Sequence, residues 1–211
     1  MIPRMNRRRL TGLAFPLVLV LLLVPSSFAH SYDYEETHTD VREFTAAGTL
    51  HVHLRVGDLN VRRGDSDKIR LRYTVRSHRE HSLQRVHVDF DVRGIEATLE
   101  FHAPSATNTE VDVELEVPQN TNLDLHQSVG DLTVDGIDGD KDLTLSVGDI
   151  RVRADHTGYR IVRASTGIGD VNGEDYGETS GWLGKTLKYH GEGKYELRAH
   201  VGVGDITLDG R

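Results

Sequence analysis

Apolar and polar residues alternate along most of the chain beyond residue 48. Leu50, Val52, Leu54 and Val56 share one phase, with His51, His53 and Arg55 in the other. Ile69, Leu71, Tyr73 and Val75 repeat the pattern against Arg70, Arg72, Thr74 and Arg76. The stretches VHVDFDV at 86–92 and VDVELEV at 111–117 continue it, as do Tyr195, Leu197, Ala199, Val201 and Val203. A period of two places successive side chains on opposite faces of a strand, so each run predicts a strand with one buried and one wet face. A helical period is absent after residue 29, and only SHREHSLQRV at 77–86 predicts a short helix or a loop.

The alternation is punctuated by one recurring phrase. Val56-Gly57-Asp58-Leu59, Val129-Gly130-Asp131-Leu132, Val147-Gly148-Asp149-Ile150, Ile168-Gly169-Asp170-Val171 and Val203-Gly204-Asp205-Ile206 are copies of it. Successive glycines lie 73, 18, 21 and 35 positions apart, and Leu183-Gly184-Lys185-Thr186-Leu187 is a degenerate copy inside the last gap. Glycine reaches positive φ without a steric penalty, and aspartate folds its carboxylate onto nearby backbone N–H groups. Each Gly-Asp pair therefore predicts a corner, after which Leu, Ile or Val returns to the core. Self-similarity at a fixed period is the mark of a stacked architecture. The expectation is an all-β, single-domain β-solenoid with rungs of about 18–20 residues. A hairpin-built β-sandwich is the competing reading of alternating strands.

These phrases, together with Val117-Pro118-Gln119-Asn120-Thr121-Asn122-Leu123-Asp124-Leu125 and the ending VGVGDITL, resemble the bacterial putative-adhesin domain, a toastrack-type β-solenoid of cell-envelope proteins. The resemblance covers roughly residues 41–211 and is strongest from 111 onward. It implies adhesion. It transfers no catalytic residue, because the shared motif is a turn.

The first 29 residues differ from the rest. Arg4, Arg7, Arg8 and Arg9 precede the apolar stretch LTGLAFPLVLVLLLV, and Ser27 and Ala29 stand at the −3 and −1 positions of a cleavage site. This is the layout of a secretory signal peptide, and the apolar stretch is short for a membrane span. Residues 30–48 read as an acidic, flexible lead-in, and 49–211 as the solenoid. Removing residues 1–29, which hold four of the 25 basic and none of the 33 acidic residues, takes the formal net charge from −8 to −12. So acidic a chain is expected to repel nucleic acid and anionic membranes. With no cysteine, the exported chain relies on its core instead of disulfides. The expected location is the periplasm or the outside of the cell, with no membrane span after cleavage.

Candidate chemistry is sparse. Asp138-Gly139-Asp140-Lys141-Asp142 opens like a calcium loop, but Leu143 stands where the loop needs glycine. Arg63-Gly64-Asp65-Ser66 spells an integrin-recognition tetrapeptide and is read as coincidence in a chain rich in Gly-Asp and arginine. Among twelve histidines, His51 and His53 share a strand face, and His30 would become a copper-chelating N-terminus after cleavage. Both stay open as metal ligands. His51, His53, His87, His102, His126 and His200 all fall in the polar phase, so exposed strand histidines account for them without a metal. No catalytic, cofactor or metal residue is assigned. The residues singled out are the corners Gly57, Asp58, Gly130, Asp131, Gly148, Asp149, Gly169, Asp170, Gly204 and Asp205.

Charge is uneven: residues 49–93 hold ten basic and six acidic residues, 94–149 one and thirteen, and 150–211 nine of each. If sequence order is spatial order, a basic end stands beside an acidic middle, a feature suited to an electrostatic contact. The functional expectation is a non-catalytic, exported, adhesin-like binding protein of the cell envelope, with an envelope protein or polymer as partner. The alternative is a secreted carbohydrate-active β-helix enzyme, which needs carboxylates converging on a groove flanked by aromatics; the chain has one tryptophan, Trp182.

Overall fold

The alternating segments form strands, and a computed structural model describes residues 33–103 and 109–210. The signal segment and His30 lie outside the described residues. The strands are β1 (Tyr34–Glu43), β2 (Thr49–Val56), β3 (Leu59–Arg63), β4 (Lys68–Ser77), β5 (His87–Arg93), β6 (Glu96–His102) and β7 (Thr109–Val117). Then follow β8 (Asn122–Val129), β9 (Leu132–Asp135), β10 (Lys141–Val147), β11 (Ile150–Ala154), β12 (Tyr159–Ile168) and β13 (Val171–Asn172). The last are β14 (Thr179–Ser180), β15 (Thr186–His190), β16 (Tyr195–Val203) and β17 (Ile206–Gly210). The segment at 77–86 contains the short helix α1 (Glu80–Leu83), one of the two forms its lack of alternation allowed.

The strands make two mixed sheets. One has the order β1-β4-β7-β3-β9-β11-β17-β13, and the other β14-β15-β12-β16-β10-β8-β2-β6-β5. Each Gly-Asp corner carries the chain from the second sheet to the first: β2 to β3, β8 to β9, β10 to β11, β12 to β13 and β16 to β17. Neighbours across the corners pair in parallel, Val56 with Val129, Val129 with Val147, Val147 with Val203, and Ile168 with Val203. The corners therefore stand in one column. Its order is 57, 130, 148, 204, 169, so sequence order is not spatial order: the C-terminal β16 and β17 slot between the third and fourth copies. The degenerate copy extends the column, with Gly169 bridged in parallel to Gly184.

The inward residues fill the space between the sheets. Leu50, Val52, Leu59, Val61, Leu125, Leu132, Val134, Leu143, Leu145, Ile150, Leu197, Val201 and Ile206 are fully buried. Each such side chain contributes roughly 1.5–3 kcal/mol through its removal from water. Two phase assignments differ from expectation. Val56 and Val203, aligned by alternation with the inward residues, are 47% exposed, as are their counterparts Val129, Val147 and Ile168 to similar degree. The corner begins one residue earlier than the alternation indicates, and the residue before each glycine turns outward. Lys141 is the opposite case. It is 1% exposed and its register neighbours are Leu123 and Leu197, so it occupies an apolar column.

The acidic segment at 30–48 is not a flexible lead-in where it is described. Tyr34–Glu43 is a strand, paired antiparallel with β4 over its whole length, and it belongs to the same compact unit as the rest of the described residues. Its charged residues blunt an exposed sheet edge. The charge asymmetry also resolves differently. The arginine-rich β4 pairs antiparallel with the acidic β7. Glu116 receives Arg62 at 2.6 Å and Arg70 at 3.2 Å, Glu114 receives Arg72 at 3.8 Å, and Arg76 meets Asp112 and Glu35. The basic stretch and the acidic stretch are partners across strands, so much of the asymmetry is neutralised locally and does not extend as a gradient along the molecule.

Candidate functional site

The predicted corner residues come together, but by a means the sequence did not show. Gly57, Gly130, Gly148, Gly169 and Gly204 have φ between +121° and +137°, a region that strains any residue with a Cβ. A Cβ on Gly148 would lie 2.0 Å from the Gly130 carbonyl oxygen, and one on Gly204 equally close to that of Gly148. The aspartates do not fold onto their own turns. Asp131 N–H donates to Asp58 Oδ1 at 2.9 Å, Asp149 N–H to Asp131 Oδ1 at 3.2 Å, Asp205 N–H to Asp149 Oδ1 at 2.8 Å and Asp170 N–H to Asp205 Oδ1 at 2.7 Å. The carboxylates of Asp58, Asp131, Asp149 and Asp205 thus satisfy the backbone of the next corner in the column. These bonds hold the column together.

The acidic stretch at 138–142 is likewise structural. Asp138 accepts from Gln119 Nε2 at 2.7 Å, Asp140 Oδ1 accepts from Glu196 N–H at 2.8 Å, and Lys141 points inward. It forms a corner at the other end of the second sheet. Arg63, Gly64 and Asp65 form the exit from β3, where Gly64 N–H donates to Val117 O at 2.8 Å.

The histidines are the residues that tertiary structure gathers. The register of the second sheet aligns Asp89, Glu100, His53, His126, Thr144, His200 and Ser165 in one row across seven strands. On the row to one side, His87 faces His102 directly. On the other lies His51, opposite Asp124. These side chains share the outer face because all are in the polar phase of their strands. An open groove of about 580 Å³ runs over this face, lined among others by His53, Arg85, His87, Glu100, His102 and His126.

Three contacts order the groove. The rings of His53 and His126 stack at 5.3 Å between centroids and 6° between planes, and those of His87 and His102 at 4.7 Å and 18°. Asp124 bridges two histidines, its Oδ2 lying 2.8 Å from His51 Nδ1 and its Oδ1 2.9 Å from His126 Nε2. His51 has its other nitrogen 2.9 Å from Glu96 Oε2. Only an imidazolium donates from both nitrogens. Partial burial pulls the His51 pKa down, but the hydrogen bonds and charges of Asp124 and Glu96 outweigh it and leave the pKa raised above 6.5. One potential ligand set for a metal is present among the described residues: His87, Asp89 and His102 each offer an atom within 4.8 Å of the others. The sequence marks both histidines as exposed strand residues but does not join them. The signal that joins them is the tight turn Arg93-Gly94-Ile95-Glu96, which fixes the hairpin register of β5 and β6 and sets 87 opposite 102.

No known family matches the chain by its sequence, and no curated protein does either. Solved structures do. A putative cell adhesion protein from Clostridium sporogenes aligns at TM-score 0.52 and 15% identity, over 83% of this chain and all of that one. A putative adhesin from Bacteroides fragilis aligns at TM-score 0.29 and 10% identity, over 82% of this chain and 97% of that one. Another from Parabacteroides merdae aligns at 0.27 and 12%, over 82% and 81%. The first of these is a likeness of fold.

Proposed function

We propose that the chain is an exported, non-catalytic, adhesin-like protein of the cell envelope, built as a β-solenoid, and that it binds a partner through the histidine-lined groove. The observation that carries this reading is the groove itself: several strands contribute polar, histidine and arginine side chains to one open face. The Gly-Asp motif contributes no chemistry, being spent on backbone geometry. The fold likeness to a protein named for cell adhesion agrees with this, and the arginine-led apolar segment ending at Ala29 supports export. An enzyme acting on sugars would need aromatic platforms beside paired acids. Trp182 is 95% exposed and does not line the groove.

The groove, with Arg85 in its wall, replaces the charge gradient as the proposed contact surface. Its ligand is an envelope protein or polymer carrying acidic or hydroxyl groups. Binding should weaken with salt, because exposed charges are screened over about 8 Å at physiological ionic strength. The test is affinity capture from envelope extract with wild type, with Arg85→Glu combined with His126→Ala, and with Arg151→Glu on the first sheet as control. A ligand held by wild type and control but lost by the groove variant supports the reading. Turnover of an envelope polysaccharide, abolished by Glu100→Gln, would replace it with the enzyme.

A further inference from the structure

The geometry points to a divalent transition-metal site, of the kind that takes Zn²⁺, formed by His87, Asp89 and His102 on the β5–β6 hairpin, with Glu100 beside them. The four side chains stand at the corners of a rectangle. His87 and Asp89 are two apart on β5, Glu100 and His102 are two apart on β6, and the register pairs His87 with His102 and Asp89 with Glu100. Same-face neighbours along a strand are about 7 Å apart and directly paired ones about 5 Å, which brings all four heads over one spot. His102 Nε2 lies 3.0 Å from Asp89 Oδ2 and 3.9 Å from Glu100 Oε2.

Ion pairing accounts for only part of the arrangement, the diagonal contact of His102 with Asp89. A hairpin held by histidine–carboxylate pairs sets each histidine opposite an acid. Here like stands opposite like: the stacked imidazoles of His87 and His102 face each other, and so do the carboxylates of Asp89 and Glu100, which as like charges directly opposite are destabilising. A cation at the centre of the rectangle removes that repulsion, taking neutral imidazole lone pairs from one edge and carboxylate oxygens from the other. The two imidazole nitrogens and the Asp89 carboxylate match Zn²⁺, with the fourth position filled by Glu100 or by water.

Closure is small. Zn–N and Zn–O bonds of about 2.1 Å at tetrahedral angles put ligand atoms roughly 3.4 Å apart. The atoms of His87, Asp89 and His102 already lie within 4.8 Å of one another. Rotations about χ1 and χ2 supply the difference, and β5 is the edge strand of its sheet, so one side is free to move. The neighbouring pair His53 and His126 is less suited, because the carboxylate that contacts His126, Asp124, is shared with His51. Arg55 and Arg85 line the same groove, and the two carboxylates are what offset a dication there.

The test is calorimetric titration of the purified, untagged chain with ZnCl₂ at neutral pH, independent of whatever else the groove holds. The expected result is one Zn²⁺ per chain at this site, with affinity falling at least about tenfold in each of His87→Ala, His102→Ala and Asp89→Asn. His200→Ala, on the same face but four strands away, should bind as wild type does. All four variants should melt like wild type without metal. Should His102→Ala melt early, Asp89→Asn at the exposed edge carries the comparison. Absence of Zn²⁺ binding overturns the proposal. So does binding that survives His87→Ala combined with His102→Ala, or that is lost only when His53 and His126 are replaced.

Discussion

The carbonyl oxygen of Gly57 lies 2.0 Å from the place a Cβ on Gly130 would occupy. The same approach recurs from Gly130 to Gly148, from Gly148 to Gly204 and from Gly204 to Gly169, so the corner column tolerates no side chain at any of these positions. Gly148→Ala should therefore cost about 3 kcal/mol or more, combining positive-φ strain with a clash against backbone that cannot move alone. Gly94 is the comparison. It also has positive φ, +65°, but a Cβ there meets nothing within 4 Å, so Gly94→Ala should cost only about 1–2 kcal/mol. Urea unfolding of the two variants checks this, and equal losses would show that the corners are not in contact.

The aspartate column makes a second expectation. Asp149 Oδ1 accepts from the Asp205 N–H, so Asp149→Ala should cost about 1 kcal/mol, the net worth of one such bond. Asp149→Asn keeps an acceptor oxygen and removes one charge from a column of five stacked carboxylates. It should recover most of that loss, with the greatest recovery at low salt, where repulsion is least screened. Thermal melts of both variants at two salt concentrations decide it. An asparagine variant as unstable as the alanine one would place the importance in charge and not in hydrogen bonding.

Lys141 predicts an unusual alkaline dependence. Burial lowers its pKa from 10.5 to about 7, against the raising pull of Asp138 and Asp140. Its Nζ donates to Gly139 O at 3.0 Å and to the Tyr159 hydroxyl oxygen at 2.6 Å. Between the folded and unfolded pKa values the unfolded chain holds more protons than the folded one. Stability should accordingly rise with pH from about 7 towards 10, by up to about 1.4 kcal/mol per pH unit from this group. Lys141→Met, which suits a column otherwise made of Leu50, Leu123 and Leu197, should flatten the rise and gain most at pH 6. Chemical unfolding of both proteins from pH 6 to 10 measures it; parallel curves would refute the assignment.

His51 has the opposite sign. Its raised pKa means that the folded state favours the imidazolium held between Asp124 and Glu96. The resulting stability is fully present below about 6.5, the unfolded value, and is lost as pH rises through the higher folded value. His51→Gln should therefore be more costly at pH 5.5 than at pH 8. The His51 ring resonances in an NMR titration should move at higher pH than those of an unperturbed histidine, and a midpoint below 6.5 would contradict the contact with both carboxylates.

Much of the local structure was readable from residue order. Period-two alternation depends only on how successive side chains leave the backbone, so the runs at 50–56, 69–75, 86–92, 111–117 and 195–203 were legible as strands. The corners were legible because positive φ is a property of single residues and glycine marks it. The absence of alternation at 77–86 set that segment apart from the strands, and it holds the short helix α1. What a residue order does not carry is the identity of the strand beside each strand. A hydrogen-bonded ladder accepts any partner of the right length, so the insertion of β16 and β17 between earlier copies left no trace in the motif spacing.

Everything that depended on a neighbour was decided by the tertiary structure. Val56 and Val203 kept the rhythm of their strands yet turned outward, because the stacked corner fixes where the strand ends. Lys141 went inward because register placed it between two leucines. The arginines of β4 and the acids of β7 looked like separate charge blocks until antiparallel pairing set them against each other. His51, His53, His87, His102 and His126 were visible singly as outward residues. Sequence could assign each to a face, since alternation is local. Only the pairing of strands, which sets His51 opposite Asp124 and His53 opposite His126, 73 residues apart, could decide that they share one groove.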